Sequence, residues 1–112
     1  MGLGDIRGND CFDVLADIMG PAMQIIQDED AQVIFNKNKE RPEGMSAQEF
    51  GIQLMGEHFP GMIRRNKDAF AQIIAATKGV EVDEYLKDLT FANLVNDIMG
   101  LLQDPVFASF LS

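Results

Sequence analysis

The feature that most constrains this chain is its ending. From Thr90 to Ser112 it reads TFANLVNDIMGLLQDPVFASFLS. That is an amphipathic helical stretch, an Asp104-Pro105 break, and then Phe107, Phe110 and Leu111 within the last six residues. Chain ends are ordinarily polar and frayed. Apolar residues placed this late need cover, either from the chain's own core or from another protein. The spacing alone leaves both open.

The rest of the sequence narrows the fold. β-Branched residues are scattered without sustained alternation, whereas apolar residues recur with the 3.6-residue period, so the chain is expected to be all-α. A length of 112 residues with 46% hydrophobic content suits one domain with a single core. There is no internal repeat. The pattern predicts a single compact domain of about six helices, several of them short.

Residues 1–9 read as a loose lead-in. Asn9 or Asp10 is placed to cap a first helix carrying Phe12, Leu15, Ile18 and Met19 on one face. Gly20-Pro21 predicts the end of that helix and the start of another. The second helix carries Met23, Ile26, Val33, Ile34 and Phe35, with an interruption at Gln27-Asp28-Glu29-Asp30. Residues 36–45 are a polar loop with Pro42 and Gly44. Ser46 with Glu49 three residues on is a capping-box pattern. Pro60-Gly61 predicts a break or kink, and Lys78-Gly79 a helix stop. Val82–Leu86 reads as a short helix. Thr90 is placed to cap the last long one, with its stripe Leu94, Val95, Ile98, Leu101 and Leu102. Residues 104–112 form an apolar terminal turn.

Charge and composition bear on partners. The net charge of −9 disfavours nucleic acid and anionic lipid and suits a basic partner segment. With Cys11 the single cysteine, no internal disulfide can form, and a reducing cytoplasm fits. The N-terminus lacks a signal-peptide pattern and a myristoylation pattern. No apolar stretch approaches the ~20 residues of a membrane span.

Candidate chemistry is sparse. His58, the only histidine, precedes Phe59-Pro60 and reads as a helix-end residue rather than a ligand. Cys11 reads as a buried small apolar residue, since a reactive thiolate needs a base beside it and the neighbours Asp10 and Asp13 disfavour a second anion. Asp28-Glu29-Asp30 fails as a calcium loop, because Val33 and Lys39 stand where glycine and glutamate are required. The expectation there, and at Asp83, Glu84 and Asp97, is a solvated acidic face. Arg64-Arg65 with Lys67 is expected to pair with carboxylates of this chain or of a second subunit. No catalytic residue, metal or cofactor is expected. The seven methionines fill core or supply an adaptable apolar surface.

The stretch AFAQIIAATKGVEVDEYLKDLTFANLVNDIMGLLQDPVFASFLS, with the lead-in DIRGNDCFDVLADIMG, resembles the small helical tail assembly chaperones of long-tailed bacteriophages and prophages of Gram-positive hosts. The matching stretches cover just over half of the chain; Pro21 and the loop from Asn36 to Gly44 have no counterpart. The resemblance implies a protein of the host cytoplasm that binds and solubilises the tape measure protein, helps recruit tail tube protein, self-associates, and leaves before the virion is complete. It also implies that a chain ending at Ser112 is the short form of a frameshifted pair. Leu94, Ile98, Leu102, Phe107, Phe110 and Leu111 are the candidate partner-binding or self-association residues, against a reading in which they close the core. The alternatives are a small acidic regulator, inhibitor or adaptor, and a small enzyme joining His58 to distant carboxylates.

Overall fold

The computed structural model describes residues 3–35 and 40–111, for Leu111 the backbone only. A 3₁₀ turn over Leu3–Asp5 precedes seven α-helices: α1 Asp10–Ile26, α2 Glu29–Phe35, α3 Ala47–Arg65, α4 Lys67–Lys78, α5 Val82–Lys87, α6 Phe91–Leu102 and α7 Pro105–Leu111. Among the described residues there is no strand, so the fold is all-α.

Two expected breaks are absent. α1 runs straight through Gly20-Pro21, and α3 through Pro60. An interior proline costs about 3 kcal/mol through the lost hydrogen bond and the clash with the preceding turn. Packing offsets it here. Val14, Ile18, Pro21, Ala22 and Ile25 stay in phase on one face of α1, and all except half-buried Val14 are buried. In α3, half-buried Phe59 and buried Met62 likewise stay in phase across an exposed Pro60. The interruption at Gln27-Asp28 does occur, between α1 and α2.

Local signals fix several other boundaries, although Asn9, placed to cap α1, makes no side-chain cap hydrogen bond. Ser46 Oγ accepts from the Glu49 N–H at 3.1 Å, and Thr90 Oγ1 from the Asn93 N–H at 3.2 Å. Gly79 takes a left-handed conformation (φ 71°), and the Val80 N–H closes back on the Ala75 carbonyl at 3.0 Å. Residues 36–39 of the expected loop lie outside the described residues, while residues 40–46 run without helix.

α4 is the hub. Ala69, Phe70, Ala71, Ile73, Ile74 and Ala75 are all buried, against α1 on one side and α5 and α6 on another. α2 packs along α3, and α7 bridges the 3₁₀ turn, α1 and α6. The expected loose lead-in is anchored: Leu3 is buried, and its N–H donates to Asp104 Oδ2 at 2.8 Å.

Candidate interaction surface

The candidate residues of the C-terminal helices divide by burial. Ile98 and Phe107 are buried, Phe107 at 1% exposure. Leu94, Leu102 and Phe110 are half-buried against the same core. The side chain of Leu111 lies outside the described residues. Asp104 Oδ1 accepts from the N–H groups of Val106 (2.8 Å) and Phe107 (3.3 Å), which caps α7 and sets its direction. Phe107 thereby enters its own subunit's core.

The exposed apolar surface lies elsewhere. On α1, Phe12 (76% exposed), Leu15, Met19 and Met23 face solvent in a row. The face expected from Phe12, Leu15, Ile18 and Met19 is therefore split: of the four, only Ile18 is buried. Cys11, expected inside, is exposed as well: it shares the helical face of Ile18 and Ile25 but sits in the first turn of α1. On α6, Phe91 (81% exposed), Val95 and Met99 form a second row at i, i+4 and i+8. Three methionines, Met19, Met23 and Met99, sit in these rows, whereas Met62 is fully buried. The chain exposes 7542 Å², against roughly 6,100 Å² for a compact monomer of its mass. The elongated shape, 48 × 28 × 22 Å, accounts for part of that excess.

Carboxylates gather beside α1. A cleft of about 720 Å³ between the N-terminal turn, α1 and the α4–α5 junction is lined by Asp5, Asp10, Asp13, Asp17, Glu81 and Glu84, with Arg7 and Lys78. Sequence distance hid this cluster, since it joins segments some 70 residues apart in the chain.

The other polar assembly is a structural joint. Asp28 Oδ1 caps α2 by accepting from the N–H groups of Asp30 (2.9 Å) and Ala31 (3.2 Å). Arg65, at the end of α3, donates to both Asp28 oxygens at 2.9 and 3.0 Å and also reaches Asp30. Buried Asn66 donates to Asp28 Oδ2 (3.0 Å) and to the Met62 carbonyl (2.8 Å). Hydrogen bonding from Arg65 holds the Asp28 carboxyl well below the usual range. His58 and then Arg65 lower that of Asp30. Asp28 and Asp30 are thus committed to the joint between α2 and α3, not a solvated acidic face. Arg65 pairs with this chain's own carboxylates, one of the two arrangements expected of it.

His58 lies inside α3 rather than at a helix end, with Nδ1 2.8 Å from Asp30 Oδ1. Asp97 also has partners: the Tyr85 hydroxyl donates to it at 2.8 Å, and Lys78 Nζ lies 3.3 Å away. Burial, and then this bond, push the Tyr85 phenol above its ordinary value. Among the described residues, no group of three or more His, Cys, Asp or Glu side chains is placed to hold a metal ion. No described helix is long and apolar enough to cross a membrane.

Comparison with known protein families, curated proteins and solved structures finds no match.

Proposed function

We propose that this chain is a non-enzymatic tail assembly chaperone of a long-tailed phage or prophage. It binds and solubilises the tape measure protein, helps recruit tail tube subunits, and associates with itself during tail morphogenesis in the host cytoplasm. The single observation that carries the reading, beside the sequence resemblance, is the pair of solvent-facing apolar rows on α1 and α6. A helix-binding protein needs apolar grooves or faces that its own core leaves open, and methionine gives such faces tolerance for varied partners. Co-expression with the tape measure protein of the same phage or prophage is the test. A soluble, co-purifying complex is expected. A tape measure protein that stays insoluble with its cognate partner present would overturn the reading.

The six carboxylates around one cleft favour a second reading, a small acidic regulator that binds a basic protein. Its mark would be binding to a nucleic-acid enzyme that weakens steeply with salt.

A further inference from the structure

Burial is uneven along the chain. α4 buries half of its residues, whereas α2 buries Ala31 alone and α3, 19 residues long, buries Met62 alone. Between Ala47 and Gly61 no residue of α3 is buried: Phe50, Leu54, Met55 and Phe59 are half-buried, and Ile52 is exposed. α2 and α3 pack along each other and touch α1 and α4 far less.

The polar contacts divide in the same way. Arg65 of α3 bonds Asp28 and Asp30, and His58 of α3 bonds Asp30, so α2 is tied to α3. Among the described residues, two side-chain hydrogen bonds lead from the pair to α1. Gln24 Nε2 donates to Asn66 Oδ1, and Gln32 Nε2 to the carbonyl of Ile26, both at 3.3 Å. Both lie where the chain enters and leaves the pair.

Those two links are Gln27-Asp28, from α1 to α2, and Asn66, from α3 to α4. They sit side by side, since Asn66 Nδ2 donates to Asp28 Oδ2 at 3.0 Å. Asn66 leaves helical geometry (φ −116°, ψ 25°). Two adjacent links define one axis, and rotation about it disturbs little buried surface. Element ends of this kind absorb the dihedral changes of hinge motion, and segments with few buried apolar contacts are those that open first.

We propose that α2 and α3 swing as one pair against the rest of the molecule, about an axis through Gln27-Asp28 and Asn66, with the Gln24–Asn66 bond as the latch. The bonds of Arg65 to Asp28 and Asp30 travel with the pair and keep its helices together. A partner that prefers one angle would draw the population toward it. The device does not depend on the chaperone reading.

The test measures distances between paired spin labels on the full chain by double electron–electron resonance. Cys11 is exposed, so Cys11→Ser first removes it as a labelling site. Labels at Ala16→Cys and Gln53→Cys, both exposed positions, report the distance from α1 to the pair. Labels at Glu29→Cys, also exposed, and Gln53→Cys report the distance within it. The first distribution should be the broader. Gln24→Ala, at an exposed position, should shift it or widen it further, leaving the second distribution and the helical circular dichroism unchanged. Equally narrow distributions, both indifferent to Gln24→Ala, would overturn the hinge. So would both distances broadening together, because the pair would then be coming apart rather than swinging. A broad first distribution that Gln24→Ala leaves alone would overturn the latch.

Discussion

The backbone N–H of Leu3 donates to Asp104 Oδ2 at 2.8 Å, joining the two ends of the described chain. The other oxygen of the same carboxylate caps α7 through Val106 and Phe107. One side chain therefore orients the terminal helix and ties the N-terminal turn to it. Removing an N-cap acceptor costs about 0.5–2 kcal/mol, and the tie to Leu3 adds a further hydrogen bond of about 1 kcal/mol. Asp104→Ala should lower the unfolding free energy by about 1–3 kcal/mol in urea titration. Asp104→Asn, which keeps one acceptor oxygen, should recover part of it. Equal stability of Asp104→Ala and wild type would show that neither bond matters to the folded state.

Phe107 and Phe91 should respond in opposite ways to the same change. Phe107 is 1% exposed and Phe91 81%. Phe107→Ala removes a buried ring and should cost about 3–5 kcal/mol, a large share of the stability of a domain this size. Phe91→Ala should stay within about 0.5 kcal/mol. Chemical denaturation of the two variants side by side checks this. A neutral Phe107→Ala would mean that the terminal helix is held by something other than its own subunit.

The contrast also shows what was legible in the sequence. The all-α class and several boundaries followed from rules acting over a few residues. Ser46 with Glu49, Thr90 with Asn93, and Gly79 behind Lys78 are local hydrogen-bonding solutions and can be read in order. Gly20-Pro21 and Pro60 misled because their local cost is outweighed by packing along a continuous helix face, which depends on distant partners. The direction of the apolar faces was less accessible still. Phe12 and Ile18 look alike in a periodic pattern, and only the position of α4 decides which is covered. His58 and Asp28 belong to the same class: their surroundings are assembled from elements far apart in the chain.

Glycines inside helices give a prediction free of such ambiguity. Gly20 lies within α1, and a Cβ there would meet nothing within 4 Å. Gly20→Ala should stabilise the free chain by about 0.5–1 kcal/mol, since glycine in a helix interior is costlier than alanine by that amount. Gly61 is the counter-case. A Cβ there would lie 2.9 Å from Asp30 Oδ2 and 3.0 Å from Arg65 Nη1. Gly61→Ala should displace part of the joint between α2 and α3 and melt earlier than Gly20→Ala in thermal unfolding. The reverse order would contradict the placement of Arg65 against Asp30.

That joint also sets an acid response. Arg65 and the α2 N–H groups hold the Asp28 carboxyl below its ordinary value of 3.8. A carboxylate with a lowered folded pKa contributes stability that is complete above its unfolded value and is lost as pH falls through the folded one. Wild type should therefore exceed Asp28→Asn in unfolding free energy by a constant margin from about pH 8 down to about pH 5. Below about pH 4 the margin should shrink, because protonation of Asp28 makes wild type resemble the variant. Urea titrations of both proteins at matched pH values measure it. Two of the five hydrogen bonds to the Asp28 side chain are local caps that asparagine can partly retain, so Arg65→Gln provides the complementary loss and should show the same convergence at low pH. A margin that stays constant down to about pH 2 would remove the Asp28–Arg65 pair as a source of acid sensitivity.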